Sequence, residues 1–233
     1  MNWEAQLGKR LGLIANQLVL QNQFDAYDEI WDCCCDHGYL GLALLTRQSE
    51  ITARLNFVDQ VPHITQQLHQ TLKHITPHSY RIFTQDAGSL TFEKQQRHCL
   101  IIAGVTTTGI IKLLNSLLPR HAEQSFDLIL CPTRETFELR RYLAKQPVYL
   151  LRENHISENG RHYEVIMLRH NHNPLKREAQ ISAIGEFWEE NNLDQLDYLH
   201  RRLKHYQSAL NGKANKDASE AVALYSNLLK KLR

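Results

Sequence analysis

The chain has 233 residues, a length that predicts one large domain or one domain with an appendage, and its 42% apolar and 22% charged residues are typical of a globular protein. Its 27 Lys and Arg against 25 Asp and Glu exclude a polybasic protein, although a polyanion could still bind at a local patch. No apolar run approaches the roughly 18 residues of a membrane-spanning helix, and the first residues lack the apolar core of a secretory signal. Five cysteines, three of them consecutive, indicate a reducing cytoplasm rather than a disulfide framework.

Helical and strand patterns alternate through the first 145 residues. Apolar residues at helical spacing predict a helix within the first twenty positions. Strands are then predicted at 29–35, 54–59, 79–86, 98–104 and 126–132, and helices at 40–48, 61–75, 109–118 and 134–145. Apolar strands that alternate with helices indicate an α/β fold, with a parallel sheet covered on both faces.

The pattern changes in the last third of the chain. Two strands, at 148–156 and 161–170, are joined by Ser-Glu-Asn-Gly and predict a β-hairpin at the sheet edge. Residues 174–233 carry no strand signal, and helical spacing predicts two helices, at 193–210 and 218–232. Two consecutive helices of this kind are typical of an antiparallel helical hairpin. We therefore expect a domain over residues 1–172 and a helical hairpin domain over 173–233.

The loops that follow the strands carry the candidate site, because ligands of an open α/β sheet bind beyond the carboxyl ends of its strands. Asp59, after the second strand, could accept hydrogen bonds from both hydroxyls of an adenosine ribose. A single loop acid is more often a helix cap or solvated, so the ordered set carries more information than any member. The set is Asp32, Asp36, His37 and Gly38; Asp59; Gln85, Asp86, Ala87 and Gly88; Gly104 and residues 106–108; and Pro132, Thr133 and Arg134.

The same loops carry the motifs of a known family. Residues 8–11 (GKRL) match S-K-R-L, 32–40 (DCCCDHGYL) match D-I-G-S-D-H-A-Y-L, and 101–104 (IIAG) match the start of I-A-G-M-G-G. Residues 128–133 (LILCPT) match L-I-L-Q-P-N, 160–165 (GRHYEV) match G-K-x-Y-E-V/I, and 184–187 (IGEF) stand in the place of G-P-x-L. On these motifs the chain resembles, over nearly its whole length, the bacterial tRNA (adenine-22-N1)-methyltransferases.

The resemblance implies a Rossmann-like class I methyltransferase sheet of seven strands, S-adenosylmethionine as the cofactor and tRNA as the partner. In that reaction adenine N1 attacks the sulfonium methyl in line and the base becomes cationic, so a nearby carboxylate stabilises the charge or accepts a proton. Asp36 is the expected catalytic residue, with cofactor contact or helix capping as the alternative. We also expect a cytoplasmic monomer or weak dimer. The cofactor residues implied are Asp32, Cys34, Asp36, His37, Gly38, Asp59, Gln60, Asp86, Ala87 and Gly104.

Two groups of residues are expected to contact the substrate. Pro132 and Thr133 stand where the family has Pro-Asn beside the target pocket. Arg201, Arg202 and Lys204 lie on the first predicted C-terminal helix and could contact phosphates. The alternative for these cations is a solvated helix face near a helix C-terminus.

Three loops depart from the family motifs. Cys34 replaces a glycine, which costs of order 1–2 kcal/mol if the position requires a positive φ. Threonines at 106–108 replace a glycine-rich turn, for which a β-branched residue is a poor substitute, although hydroxyls could donate to a ligand. Thr133 replaces an amide that can both donate to and accept from an adenine edge. Two alternatives therefore stay open: a non-catalytic RNA-binding or scaffold protein, and a methyltransferase for another substrate.

The run of Cys33, Cys34 and Cys35 before Asp36 and His37 raises the question of a metal site. On a continuous strand only Cys33, Cys35 and His37 would share a face. No second cluster has zinc-finger spacing, so these thiols are expected to pack as small apolar groups and no metal is expected.

Overall fold

The computed structural model describes residues 3–47, 49–75, 79–170, 181–210 and 216–232. The helices are α1 (Lys9–Phe24), α2 (Tyr39–Leu45), α3 (Pro62–Leu72), α4 (Thr107–Arg120), α5 (Thr136–Leu143), α6 (Leu193–Leu210) and α7 (Lys216–Lys231). The strands are β1 (Glu29–Cys33), β2 (Arg54–Asp59), β3 (Tyr80–Thr84), β4 (His98–Ala103), β5 (Phe126–Cys131), β6 (Val148–Glu158) and β7 (Arg161–His170). In the described ranges, none of the helices combines the length and apolar character needed to cross a bilayer.

The strands form one seven-stranded sheet in the order β3-β2-β1-β4-β5-β7-β6. Neighbours from β3 to β5 pair in parallel, whereas β7 runs antiparallel to both β5 and β6. Asn159 and Gly160 connect β6 to β7 with φ angles of 51° and 72°, the left-handed pair that suits a tight hairpin turn. The predicted α/β sheet with an edge hairpin is therefore confirmed.

The central strands are buried on both faces because their apolar residues alternate between two cores. Ile30 and Ile101 pack with α1, α2 and α3 on one face, while Trp31 and Leu100 pack with α4 and α5 on the other. This burial explains why the strands read as continuous apolar runs. Because β1, β2, β4 and β5 run parallel, their carboxyl ends lie at the same edge of the sheet.

The first strand is shorter than predicted. It ends at Cys33, and Cys34 and Asp36 then adopt positive φ angles of 57° and 49°. A left-handed residue breaks the alternation of a strand, so the predicted strand end at residue 35 is wrong, and the face that Cys33, Cys35 and His37 would share on a continuous strand does not form.

The two C-terminal helices pair with each other as predicted and share a third core with α5, through Phe137. A buried polar contact also ties them to the sheet, since the Tyr198 hydroxyl of α6 donates to Glu164 of β7 at 2.6 Å. The same carboxylate accepts from Arg140 of α5 at 2.6 Å. The predicted domain boundary at 172/173 and most of the predicted connection at 211–217 lie outside the described residues.

Candidate active site

The loop between β1 and α2 turns back sharply at the carboxyl edge of the sheet. Three of its residues, Cys34, Asp36 and Gly38, have positive φ angles, of 57°, 49° and 68°. The Cys35 amide donates to the carbonyl of Val58 at 3.3 Å, which places the loop over β2. Cys34 therefore occupies a conformation that favours glycine, and its half-buried side chain lies in the expected cofactor loop.

Two buried carboxylates lie behind this loop. Asp59, 8% exposed, accepts from the Asp36 amide at 3.3 Å and the Val61 amide at 3.0 Å. Asp32, 6% exposed, accepts from the Gly41 amide at 3.1 Å. Burial raises the pKa of Asp32 to about 7, and the charge of Asp59 adds to the effect. The structure thus brings together the acids predicted at the ends of the first two strands.

The remaining residues predicted to bind the cofactor border the same edge. Gln60 is exposed just after β2. Asp86 follows β3 and caps a short turn, because its Oδ1 accepts from the Gly88 amide at 2.9 Å. Ala87, in that turn, is buried. For Asp86 the structure therefore shows the capping role that the sequence left as an alternative.

Asp36 and His37, in the same loop, are exposed, unlike the two buried acids. Their side chains are 71% and 60% exposed, and His37 Nε2 lies 3.9 Å from Asp36 Oδ1. Together with Trp3, Tyr39 and residues of α3 they line a cavity of about 440 Å³. The catalytic role of Asp36 remains a prediction, with its carboxylate exposed to an incoming ligand.

The threonine-rich segment after β4 is built differently from the expected tight turn. Its positive φ, 78°, falls on Gly104, and the threonines lie beyond it at the start of α4. Thr106 Oγ1 accepts from the Gly109 amide at 3.2 Å and caps the helix. Thr107 Oγ1 donates to two carbonyls of the β5–α5 loop, at 2.8 and 3.0 Å. The prediction that threonine is a poor substitute here is wrong, because these backbone positions suit it.

Arg10 of α1 belongs to the site, although no role was predicted for it beyond its place in the motif at residues 8–11. Its guanidinium lies 5.1 Å from the ring centre of Tyr163, and its Nη1 lies 4.0 Å from the Cys131 thiol at the end of β5. A Cβ on Gly104 would lie 3.8 Å from the same Nη1. Within the described residues, the buried Nε of Arg10 has no hydrogen-bond partner. The motif at residues 8–11 was the signal in the sequence that could have pointed to Arg10. Helical periodicity alone predicts only that this segment forms an amphipathic helix.

The predicted substrate residues fall in two places. Pro132 is buried directly after β5, and the Thr133 amide donates to the Val105 carbonyl at 3.0 Å, which joins the two loops beside Arg10. The three cations of α6 lie on the helix pair, and Lys204 is exposed.

Arg201 and Arg202 differ in their surroundings. Arg201 is exposed, pairs with Asp197 at 2.8 Å and donates to the Gly160 carbonyl of the hairpin turn at 3.1 Å. Arg202 lies 5.2 Å above the ring of Tyr206 and donates to its hydroxyl at 3.2 Å. Of these two, only Arg201 presents its charge to solvent, so it is the one suited to a phosphate.

Solved structures with the same fold cover almost the whole chain. TrmK of M. capricolum, in complex with S-adenosyl-homocysteine, is 16% identical with a TM-score of 0.72, over 97% of each chain. A Streptococcus pneumoniae protein in complex with S-adenosyl-L-methionine is 16% identical with a TM-score of 0.72, over 96% of this chain and 99% of its own. The B. subtilis M1A22 tRNA methyltransferase TrmK is 17% identical with a TM-score of 0.65, over 97% of each chain.

No curated protein matches the sequence. A family model, described as a methyltransferase domain, matches residues 7–166. That range extends from the residues before α1 to the middle of β7 and contains every loop of the candidate cofactor site. The chain therefore belongs to the methyltransferase-domain family.

Proposed function

We propose that this protein is an S-adenosylmethionine-dependent methyltransferase that acts on N1 of an unpaired adenine in tRNA. The observation that carries the proposal is the whole-chain likeness to two TrmK structures, which includes α6 and α7 as well as the sheet. One of those structures holds S-adenosyl-homocysteine, and the other is described as an M1A22 tRNA methyltransferase. The motifs of the same family in the sequence support the proposal independently.

The residues at the carboxyl edge suit the cofactor. Asp59 is buried at the end of β2 with oxygen lone pairs that its two backbone donors leave available, as recognition of ribose hydroxyls requires. Gly104 is exposed at the end of β4. Among the described residues, its chain neighbours apart, only Arg10 has atoms within 4 Å of where a Cβ on Gly104 would lie, so a ligand can approach that backbone closely. When bound, S-adenosylmethionine supplies the methyl group.

The charges around the site suggest how the substrate is held. The methylated base is a cation, so the exposed carboxylate of Asp36 stabilises it, whereas a guanidinium beside the base would oppose it. Arg10, whose Nε has no hydrogen-bond partner among the described residues, is therefore better suited to a phosphate next to the target nucleotide. N1 lies on the Watson–Crick edge, so the adenine must leave any base pair before it reacts.

The non-catalytic alternative was left open because of departures from the family motifs in the cofactor loops. Cys34 places a side chain, and a strained backbone, in the loop where the family has glycine. The threonines at 106–108 no longer support that alternative, because Thr106 and Thr107 make the helix-capping and loop-bridging hydrogen bonds described above.

The test has two stages. Calorimetric titration with S-adenosylmethionine and S-adenosyl-homocysteine, each with and without bulk tRNA, measures cofactor binding. Transfer of a labelled methyl group to tRNA, followed by mass spectrometry of the nucleosides, then identifies the product. We expect micromolar cofactor binding and 1-methyladenosine. No binding in either condition would contradict the proposal and favour the non-catalytic alternative.

Two variants assign the roles. Asp36→Asn should lower the transfer rate about 10²-fold or more and leave cofactor affinity within a few-fold. Arg10→Gln should instead weaken tRNA binding and reduce its salt dependence. Glu123→Gln changes an exposed carboxylate after α4 and serves as the control. Unchanged transfer by Asp36→Asn would contradict its catalytic assignment.

We also propose that the protein is a cytoplasmic monomer or weak dimer. All five cysteines are free thiols, which supports a reducing compartment. Cell fractionation and sedimentation velocity test the two statements, and a tight oligomer would contradict the second.

A further inference from the structure

Two histidines of the edge hairpin face each other beside α6. His155 of β6 and His162 of β7 approach with Nε2 and Nδ1 2.9 Å apart, and their side chains are only 2% and 6% exposed. Two half-exposed carboxylates of α6 flank them. Asp194 Oδ2 lies 3.9 Å from His155 Nδ1, and Asp197 Oδ2 lies 3.0 Å from His162 Nε2.

The surroundings keep these imidazoles suitable as ligands. His155 stacks on Phe187 and Tyr198, with ring centres 5.8 and 5.0 Å away. One ligand atom from each of His155, His162 and Asp194 lies within 4.8 Å of the other two.

We propose that His155, His162 and Asp194 form a binding site for a divalent transition-metal ion of the Zn²⁺ type. Two imidazoles on tetrahedral zinc hold their nitrogens about 3.3 Å apart, given Zn–N distances of roughly 2.0–2.1 Å. The present separation of 2.9 Å is a few tenths of an ångström shorter, and the ion takes the place of the proton that the two rings share. Small rotations of the rings about χ2, a broad torsion, aim both lone pairs at the ion.

The groups around the three ligands support this assignment. Asp197 accepts from the remaining nitrogen of His162, which is how a carboxylate fixes the tautomer and orientation of a metal-binding histidine. Asp194 is half exposed, so an ion can reach the site from solvent and keep a water as its fourth ligand. Imidazole ligands favour zinc over Mg²⁺, which prefers oxygen ligands.

The site joins the edge hairpin to a helix that lies later in the chain. Its ligands come from β6, β7 and α6, so a bound ion would clamp the helix pair to the edge hairpin. The hairpin turn at Gly160 also accepts a hydrogen bond from Arg201 of α6, at the same junction. A bound metal would therefore stabilise the folded chain, with a Tm increase of roughly 5–10 °C at a hundredfold excess over Kd.

The experiment uses the full chain, stripped with EDTA, without cofactor or RNA, so its outcome is independent of the proposed function. Titration calorimetry with Zn²⁺ and with Mg²⁺ measures affinity and stoichiometry, and thermal unfolding measures the stabilisation. The optical spectrum with Co²⁺ separates this site from the cysteines, because a thiolate ligand produces a charge-transfer band. We expect one equivalent of Zn²⁺, no comparable Mg²⁺ binding, and a cobalt spectrum without the thiolate band.

Two variants and a control complete the test. His162→Gln and Asp194→Asn should each weaken Zn²⁺ binding about tenfold or more and abolish most of the Tm increase. Asp194 is half exposed, so its variant should fold even where His162→Gln does not. His200→Gln, at an exposed position of α6, should bind as the wild type does. Wild-type binding by Asp194→Asn, a cobalt–thiolate band, or no Zn²⁺ binding at all would each overturn the proposal.

Discussion

Cys34 is where the strain in the cofactor loop can be measured. It has a φ of 57° at the end of β1, in the place where the resembling family has glycine. Cys34→Gly and Cys34→Ala both remove the thiol, but only the first relieves the left-handed backbone. The difference between the two variants therefore isolates the conformational energy from the loss of the side chain.

The size of that difference follows from two opposing contributions. A left-handed conformation costs a residue with a Cβ roughly 1–2 kcal/mol, which Cys and Ala both bear. Glycine loses more conformational freedom when the chain folds, which offsets about 0.5–1 kcal/mol of the gain. We expect Cys34→Gly to unfold with a free energy about 0.5–1 kcal/mol higher than Cys34→Ala. For a chain of this size that corresponds to a Tm difference of roughly 1–4 °C.

Urea unfolding followed by circular dichroism measures both free energies, and the neighbouring residue supplies the control. Cys33 belongs to β1 and has an ordinary strand conformation, so there glycine should be less stable than alanine, by about 0.5–1 kcal/mol. The sign of the Gly–Ala difference should therefore reverse between two adjacent positions. Titration with S-adenosylmethionine should also show tighter binding by Cys34→Gly, because the loop loses a Cβ and a thiol.

A glycine that is less stable than alanine at both positions would refute the reasoning about strain. Weaker cofactor binding by Cys34→Gly would show instead that the thiol contributes a favourable contact, and that the departure from the family motif is an adaptation.

Three other substitutions test the interior. The unfolding free energy of the wild type should fall by at most about 4 kcal/mol as the pH rises from about 4 to 7, because the native Asp32 carboxyl, with its pKa raised to about 7, keeps its proton to a higher pH than it does in the unfolded chain. Asp32→Asn should remove this pH dependence, and urea unfolding across that range measures it. Arg140→Ala should cost about 3–5 kcal/mol in unfolding free energy because it leaves two buried carboxylates unpaired, whereas Arg141→Ala, which breaks surface pairs, should cost under about 1 kcal/mol; equal losses would contradict this. Gly38→Ala should cost about 2–4 kcal/mol by thermal unfolding, since φ is 68° and the new Cβ would lie 2.5 Å from Leu68; a stable variant would show that the loop adjusts.

Most element positions could be predicted because hydrophobic periodicity is a local property. The second strand and helix α6 have the predicted bounds, 54–59 and 193–210. The first strand was predicted two residues too long, because Cys34 and Cys35 resemble small apolar strand residues. Their turn depends on a left-handed backbone that composition does not reveal.

The candidate site could be predicted as a set of loops but not as a set of contacts. Topology places the ends of parallel strands at one edge, so Asp32, Asp59 and Gly104 could be named from the sequence. Arg10 could not be placed, because helical spacing does not say which strand ends its guanidinium meets. Arg202 was expected to be available to RNA, yet its charge lies on Tyr206 within the helix pair.

The sequence by itself determined the alternation of strands and helices, the edge hairpin, the C-terminal helix pair and the loop motifs, because each depends on residues close together in the chain. Only the tertiary structure decided which side chains of separate elements contact each other: Arg10 with Cys131, Arg140 with Glu164, and the hairpin pair of His155 and His162 with Asp194 of α6. These contacts depend on how whole elements pack against each other. A periodic pattern specifies which face of an element is buried, but not which partner lies opposite each residue on that face.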